Sequence, residues 1–307
     1  MTIEQAVHIP ILKDEILEYL YDQNTVSVFD GTFGLGGHAK ATLEKYPNIQ
    51  TYYATDLDAQ HLKEGKRRLK SFEKKLSLHN ENFAEISNIL AQAKKPLGIL
   101  LDLGICSNHV DDATKGFSFS ADGPLKMSFS GDNAAEKFLN EASEIEIREA
   151  FRNFGEMQNA NQIAKEIAKY RDEKRITRTG ELKNLIEKHT HPLKRKISLT
   201  QAFQAIRMAV NEELKVIEIA INGAFSIMES GDKLGIISYH SLEDRLVKKM
   251  FKDFSTPLTQ ADSFSLHSIV QAAAGTNITK KPIIPTDAEI SQNPRSRSAK
   301  LRIIQKN

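Results

Sequence analysis

Four glycines lie within seven residues early in the chain, and a carboxylate follows them at a regular distance. The glycines are Gly31, Gly34, Gly36 and Gly37, directly after the apolar segment 26–29. A glycine turn between a strand and a helix lets the backbone approach a ligand closely. Asp56 ends the next apolar segment, about 20 residues after Gly36, where an acid can accept hydrogen bonds from ribose hydroxyls. This spacing predicts a nucleoside site.

Two nucleotide-binding motifs are absent, which limits the nucleosides that this site could bind. The glycines do not follow G-x-G-x-x-G, which weakens a nicotinamide interpretation, and the phosphate-binding G-x-x-x-x-G-K-[ST] does not occur. S-adenosylmethionine (SAM) fits the turn and the distal acid, because it is a nucleoside without phosphate. The alternative is a glycine-rich turn that binds no ligand, since glycine motifs alone often mislead.

Three further side chains follow predicted strands and could take part in chemistry. Asp102 ends the apolar run 97–101. A buried carboxylate there is costly without partners, so a functional acid is favoured over a solvated loop acid. Phe83 follows a short third strand and could lie against an adenine ring or simply pack in the core. His240 follows a fifth strand and could be a general base or a loop histidine bonded locally.

An α/β fold would position these residues. Strands are predicted at 26–29, 52–56, 76–78, 97–102 and 233–239, with a final strand at 301–304. The carboxyl ends of parallel strands form the ligand crevice in doubly wound sheets. No strand signal occurs from 134 to 189, which predicts a helical insert. The predicted domains are 1–110 with 200–307 for the α/β part, and 111–199 for a substrate-recognising insert.

The segment after the insert has a strong helical period. Apolar residues recur every three or four positions from Phe203 to Met228, which predicts one long amphipathic helix closed by Gly231. Arg207 and Asn211 share another side of this helix. After the fifth strand, Ser241 is the predicted cap of a helix. Segment 255–279 shows no clean period and is predicted to be a mobile excursion without regular structure.

Composition excludes several classes of protein. Among 307 residues there is one cysteine, Cys106, so no internal disulfide is expected, and Cys/His metal spacing is absent. The start lacks a secretory signal pattern and no apolar run reaches about 18 residues, so we expect a cytoplasmic protein without a membrane span. The net charge is only +2, so any nucleic-acid surface must be local.

The C-terminal tail is the basic cluster that stands out. Its cations, with no intervening acid, are Arg295, Arg297, Lys300 and Arg302. Beside a crevice such a cluster could bind nucleic-acid phosphates. In the alternative interpretation the tail pairs with acids of the protein itself.

Taken together, the motifs resemble one family, the bacterial 16S rRNA (cytosine-N4)-methyltransferases called small-subunit methyltransferase H. The matching stretches are HIP at 8–10, DGTFGLGGH at 30–38, DLD at 56–58, LLDLG at 100–104, GFSF at 116–119, DGPL at 122–125, GE at 155–156, FQAIR at 203–207, NE at 211–212, SLEDR at 241–245 and NPRSRS at 293–298. They cover nearly the whole chain in the family's order and are jointly specific.

The resemblance implies a seven-stranded, Rossmann-like, SAM-dependent methyltransferase sheet with a helical insert. It implies methyl transfer to N4 of a cytidine in the decoding region of 16S rRNA, with 16S rRNA or the small ribosomal subunit as partner. The implied cofactor contacts are Gly36, Gly37, His38, Asp56, Phe83, Asp102 and His109. Asp102 is also the candidate for orienting the amine. The candidate RNA contacts are Arg207, Asn211, His240, Arg295 and Arg297.

The chain departs from the family pattern at a few positions. Asn108 and His109 stand where Pro and Gln are usual, and His109 can still offer one hydrogen bond. Lys126 and Ser128 stand where Asp and Arg are usual, and Leu199 and Gln201 where Ala and Arg are usual. These changes bear on the details of RNA contact.

Other functions remain as alternatives. A cytosine C5-methyltransferase needs a cysteine nucleophile, and Cys106 is the only candidate, without the usual preceding proline. A non-catalytic RNA-binding assembly factor is opposed by the intact glycine turn and Asp56. A small-molecule methyltransferase is disfavoured by the basic tail, whereas composition does not separate RNA from DNA.

Overall fold

The computed structural model describes residues 10–104, 112–129, 132–260 and 268–307. The chain divides into two compact units. The first, Met1–Gly104 with Val216–Asn307, is called the sheet unit below; the second, Ile105–Lys215, is called the helical unit. The predicted insert, 111–199, ends earlier than the helical unit, because position 200 lies inside a continuous helix, Arg195–Val210. That the two parts are separate domains stays a prediction.

The strands alternate with helices along the sheet unit. The strands are β1 (Ser27–Asp30), β2 (Thr51–Thr55), β3 (Leu76–His79), β4 (Leu97–Asp102), β5 (Lys233–Ser238), β6 (Leu258–Gln260), β7 (Ser268–Gln271), β8 (Gly275–Asn277) and β9 (Lys300–Lys306). The α-helices are α1 (Lys13–Tyr19), α2 (Gly37–Lys45), α3 (Ala59–Arg68), α4 (Ile86–Ile89), α5 (Ala134–Glu141), α6 (Glu144–Asn153), α7 (Ala160–Glu173), α8 (Thr179–Lys188), α9 (Arg195–Val210), α10 (Glu213–Ile227), α11 (Ser241–Ser255) and α12 (Asp287–Gln292). None of these helices is long and apolar enough to cross a membrane.

The main sheet has seven strands in the order β3-β2-β1-β4-β5-β9-β8, which confirms the predicted seven-stranded α/β sheet. Strands β1 to β5 pair in parallel, and β9 is antiparallel to both β5 and β8. Every residue of β1 is buried, as are the apolar residues of β4. Near-continuous apolar runs are expected for parallel strands that are covered on both faces.

The helical unit consists of α5 to α9 around a core of its own. Ile147, Ile163 and Ile186 are fully buried in that core, each on the apolar side of an amphipathic helix. Ser143 caps α6 through a capping box with Glu146, as the sequence predicted.

The prediction of one long helix from 203 to 228 is wrong, because the chain breaks into α9 and α10. Glu212 has a left-handed φ of 46°. Asn211 stabilises the break, since its amide donates to the carbonyls of Met127 and Arg207 and accepts from the Phe129 N–H. The apolar period continues through the break, and no glycine or proline marks it, so the pattern could not reveal the interruption.

Segment 255–279 is also more regular than predicted. Its start belongs to α11, β6 and β7 form a separate two-stranded antiparallel sheet, and β8 joins the edge of the main sheet. These strands are three or four residues long, too short to give a clear alternation of apolar and polar residues.

Candidate functional site

The topology of the main sheet defines where a ligand can bind. From β1 the chain moves outward to β2 and β3, and then returns to β4 on the other side of β1. In open α/β sheets the crevice outside the carboxyl ends of the strands, at such a reversal, is the ligand site. Asp30 ends β1, Asp102 ends β4, and Asp56 directly follows β2. The two predicted acids, Asp56 and Asp102, therefore lie at the carboxyl ends of parallel strands, and Asp30, which was not predicted, lies at the same end of the sheet.

Asp56 holds the glycine turn to the end of β2. Its Oδ2 accepts a hydrogen bond from the Gly34 N–H at 2.8 Å, and its Oδ1 accepts one from the Asp58 N–H at 2.8 Å. Since an ionised carboxylate has about four acceptor positions, ribose hydroxyls could still bind to it. The buried His61, which sequence reasoning missed, places Nδ1 3.4 Å from Asp56 Oδ2.

Gly36 and Gly34 meet a local backbone requirement. Both lie in the left-handed region, with φ of 77° and 53°, which suits glycine. A Cβ at Gly36 would come within 2.8 Å of Leu69 Cδ1, inside the protein's own core. Gly36 is the N-cap of α2 and Gly37 its first residue. The glycines thus shape the turn itself, whatever binds to it.

Asp102 is held from two sides. Its backbone N–H donates to Thr32 Oγ1 at 2.9 Å, and the Tyr239 hydroxyl donates to its Oδ1 at 2.7 Å. The carboxylate remains 23% exposed. Burial first, and then the neighbouring Asp102, raise the pKa of the Tyr239 hydroxyl well above its ordinary value of 10.0, so that hydroxyl stays a donor. Sequence reasoning missed Tyr239, because the contact joins residues 137 positions apart.

His38 faces the second oxygen of Asp102. Its Nε2 lies 3.6 Å from Asp102 Oδ2, too far for a good hydrogen bond. That Nε2 is buried and has no hydrogen-bond partner in the described part of the chain. A buried polar atom without a partner is rare and calls for an explanation. A ligand that bonds to His38 Nε2 would supply one, so the crevice fits a cofactor with a polar group at this point.

Asp30, the third acid of the crevice, differs from Asp102 in its surroundings. It is buried, its Oδ1 accepts from the Thr32 N–H at 3.1 Å, and its Oδ2 accepts from the Tyr52 hydroxyl at 3.0 Å. Burial raises the pKa of Asp30 from 3.8 to about 6, although the neighbouring His38 and the two hydrogen bonds oppose the rise. The acids at the ends of β1, β2 and β4 favour a cationic ligand, such as a sulfonium, over a phosphate.

Phe83 lies at the predicted place but also packs against the protein. It follows β3, is half-buried, and begins a short 3₁₀ turn capped by Asn82. A Cβ at Gly31 would lie 2.8 Å from Phe83 Cβ, so the ring's base contacts the strand end closely. Its role toward an adenine stays a prediction. His109 and Cys106 lie outside the described residues.

His240 caps a helix. Its Nδ1 accepts a hydrogen bond from the Leu242 N–H at 3.3 Å, and its own N–H donates to Glu243 Oε2 at 3.1 Å. His240, rather than the predicted Ser241, is therefore the N-cap of α11. These contacts agree with the interpretation of His240 as a histidine bonded locally. Contact of His240 with RNA stays a prediction.

The basic tail is split between two environments. Arg302 is buried and binds Asp244 through Nε at 2.7 Å, and Lys300 Nζ lies 3.4 Å from the same carboxylate. Although burial of Asp244 opposes them, these cations lower its pKa below 3.8. Arg295 and Arg297 are exposed on a 3₁₀ turn. Two of the four tail cations thus pair with the protein's own acid.

Arg207 is likewise paired within the helical unit. Its Nε and Nη2 bind the two carboxylate oxygens of Glu213 at 2.7 and 2.9 Å, and both side chains are only 13% exposed. Asn211 is held by the loop contacts described above. The candidate RNA residues are therefore distributed over both units: Arg207 and Asn211 lie in the helical unit, and His240, Arg295 and Arg297 in the sheet unit. Their contact with RNA stays a prediction.

Comparison with known proteins decides the family. A model described as the MraW methylase family matches residues 5–307. The chain belongs to this family. Ribosomal RNA small subunit methyltransferase H of Heliobacterium modesticaldum is 37% identical over 313 residues, covering 97% of this chain and 98% of that protein. The protein of the same name from Magnetococcus marinus is 36% identical over 308 residues, with the same coverage.

Similarity to solved structures adds little. An rRNA methylase from Streptococcus thermophilus covers 99% of its own chain and 100% of this one, at 12% identity and a TM-score of 0.42. At that score the likeness carries no argument. Family membership makes this chain a SAM-dependent MraW methylase, and the resemblance noted in its motifs is confirmed.

Proposed function

We propose that this MraW methylase transfers the methyl group of SAM to N4 of a cytidine in the decoding region of 16S rRNA. The relatives named as rRNA small subunit methyltransferases support the substrate, since they match almost the full length of the chain. The observation that best supports this reaction is the position of Asp102. This acid accepts a hydrogen bond from the Tyr239 hydroxyl and ends β4, where the strand order of the sheet reverses.

The crevice fits SAM in each part that the chain supplies. Asp56 would accept hydrogen bonds from ribose hydroxyls, and His38 Nε2 would bond to a polar group of the cofactor. When bound, SAM supplies an electrophilic methyl group on a sulfonium. The acids around the crevice favour that positive charge, and positioning carries much of the catalysis of such an in-line displacement.

Asp102 would act on the amine. The lone pair of cytosine N4 is delocalised into the ring, so N4 is a poor nucleophile. A carboxylate that accepts a hydrogen bond from the amine helps to localise that pair. Methylation replaces one N4 proton, and Asp102 would be the group that receives it. The base must also leave its stack to reach the methyl group.

The substrate implies a cytoplasmic reaction on 16S rRNA or on the small subunit. The test is chromatography and mass spectrometry of nucleosides from 16S rRNA of cells with and without this protein. Because N4-methylcytidine and 5-methylcytidine have the same mass, each is identified by its retention against a standard. We expect N4-methylcytidine to disappear without the protein. Unchanged nucleosides would instead favour a non-catalytic RNA-binding factor.

A substitution of Cys106 distinguishes methylation at N4 from the alternative, methylation at C5. N4 chemistry needs no covalent adduct with a cysteine, so the Cys106→Ser variant should retain most activity. Loss of activity in a variant that still folds and binds SAM would revive the C5-methyltransferase interpretation.

A further inference from the structure

One segment of the helical unit carries an unusual excess of positive charge. No Asp or Glu occurs between Glu187 and Glu212, while that stretch contains five Lys or Arg residues. Three of them, Lys194, Arg195 and Lys196, are consecutive at the start of α9. All seven residues of 191–197 are exposed. This segment is called the basic segment below.

The cations of the basic segment are little neutralised by the protein. Arg195 lies 3.8 Å from Glu187, and both side chains are substantially exposed, a geometry that contributes little. Lys194 and Lys196 make no ion pair with any residue that the structure describes. The first turn of α9 contains no acidic residue. In the tail, by contrast, Lys300 and Arg302 share Asp244.

Two large aliphatic side chains accompany these cations. Leu193 is 89% exposed and Ile197 is 62% exposed, four residues apart on either side of the three cations. Single exposed aliphatics are ordinary, but an apolar pair beside unneutralised cations is typical of an interaction surface. Its partner must be polyanionic and must also offer apolar faces. RNA has both, in its phosphates and in the faces of its riboses and bases.

We infer that the basic segment, 191–197, binds the backbone of the RNA substrate, with Leu193 and Ile197 against sugar or base. This inference rests on the proposed function and adds to it a contact surface in the helical unit. It also moves the main phosphate contact away from the C-terminal tail. Phosphate contacts hold RNA in place without reading its sequence, so the segment contributes affinity rather than choice of the cytidine.

The test compares two triple variants that lose the same charge. The first is Lys194→Ala with Arg195→Ala and Lys196→Ala. The control is Lys248→Ala with Lys249→Ala and Lys252→Ala, three exposed lysines of α11 in the sheet unit. Affinity for 16S rRNA is measured by filter binding over a series of KCl concentrations, and SAM affinity by calorimetry. Melting temperatures verify that both variants fold.

The first variant should bind RNA about tenfold more weakly, and the slope of log K against log salt should become shallower by about 2–3, as three lost phosphate contacts require. The control should change the slope by less than about 1. SAM affinity should be the same in both. Equal slopes for the two variants would overturn the inference, because net charge alone would then explain the binding.

Two further measurements test the apolar contact and a rival partner of the basic segment, an anionic lipid surface. Leu193→Ser with Ile197→Ser should weaken RNA binding several-fold at an unchanged salt slope. Sedimentation with vesicles of phosphatidylserine and phosphatidylcholine tests a lipid surface. Vesicle binding that the basic variant abolishes, with RNA binding intact, would overturn the inference.

The two proposals fail differently. If the wild-type protein methylates 16S rRNA but the basic variant binds it normally, only the inference fails. If the wild type neither binds nor methylates 16S rRNA, the proposed function fails and the inference with it.

Discussion

Asp30 and Asp102 end neighbouring parallel strands, and the protein surrounds these two acids differently. Asp30 is 1% exposed, and both of its oxygens accept hydrogen bonds from the protein. Asp102 is 23% exposed, and one of its oxygens faces the buried Nε2 of His38 without a hydrogen bond between them. Each acid has a tyrosine donor, Tyr52 or Tyr239. We therefore propose that Asp102, which keeps an oxygen available to a ligand, takes part in the chemistry and that Asp30 does not.

The largest expected effect is on the rate of methyl transfer, and it tests the proposed catalytic role of Asp102. Asp102→Asn keeps the shape of the side chain and an acceptor for Tyr239 but removes the negative charge. We expect the single-turnover rate of methyl transfer to fall by about 10²–10⁴-fold, the range for a positioned group that transfers a proton. SAM affinity should fall much less than the rate, because Asp102 is only one of several implied cofactor contacts. A rate close to that of the wild type would show that Asp102 takes no part in the reaction.

Asp30→Asn should act on stability instead. The pKa of Asp30 rises from 3.8 to about 6 on folding, so the folded state binds the proton more tightly. Its contribution to stability is therefore present below about pH 4 and is lost as the pH rises through about 6. Relative to Asp30→Asn, the wild type should lose about 2 kcal/mol of unfolding free energy from about pH 4 to about pH 7. Urea titrations at both pH values measure this; parallel curves would contradict it.

Asp56 provides an intermediate case, an acid that binds the backbone and is also expected to bind ribose. Asp56→Ala should weaken SAM binding by on the order of 1–3 kcal/mol, because ribose hydroxyls lose their acceptor. The glycine turn also loses its bond to Gly34, so a small loss of stability should accompany this. Calorimetry that finds unchanged SAM affinity would remove Asp56 from the cofactor site.

Gly36→Val, by contrast, is not a clean test of the cofactor. The left-handed backbone and the contact with Leu69 both oppose a Cβ at this position. The variant should therefore fold poorly, even without any ligand.

The smallest expected effects come from a matched pair of single-atom deletions. Tyr239→Phe removes the donor to Asp102 and should lower kcat about tenfold with little change in KM for SAM, since hydrogen bonds to charged groups contribute about 1.5–3 kcal/mol. Tyr52→Phe removes the donor to Asp30 and should cost about 1 kcal/mol of stability while leaving kcat unchanged. If both variants affected the same quantity, the two acids would not differ in role.

Local patterns predicted the strands and the glycine turn well. Apolar runs and the glycines that bound them lie within a few residues of each other, so β1 to β5, β9 and two of the acids at strand ends, Asp56 and Asp102, could be predicted from the sequence, whereas Asp30 was not singled out. These features depend on short-range physical rules that a sequence displays directly.

Long-range pairings could not be predicted in the same way. Tyr239 reaches Asp102 across 137 positions, and Arg302 reaches Asp244 across 58. The chain's periodicity contains no signal for such contacts, so the sequence alone left open whether the tail pairs with the protein's own acids or with RNA. The break at Asn211 was missed for a related reason, because the side-chain bonds that stabilise it come from a distant loop.

The most direct test of the central claim uses SAM with a deuterated methyl group. Wild-type protein, Asp30→Asn and Asp102→Asn are each incubated with small ribosomal subunits that lack the modification. Nuclease fragments of the 16S rRNA and their nucleosides are then examined by mass spectrometry. We predict labelled N4-methylcytidine in a decoding-region fragment with the wild type and with Asp30→Asn, and almost none with Asp102→Asn. Label on C5, or equal labelling by Asp102→Asn, would contradict the account.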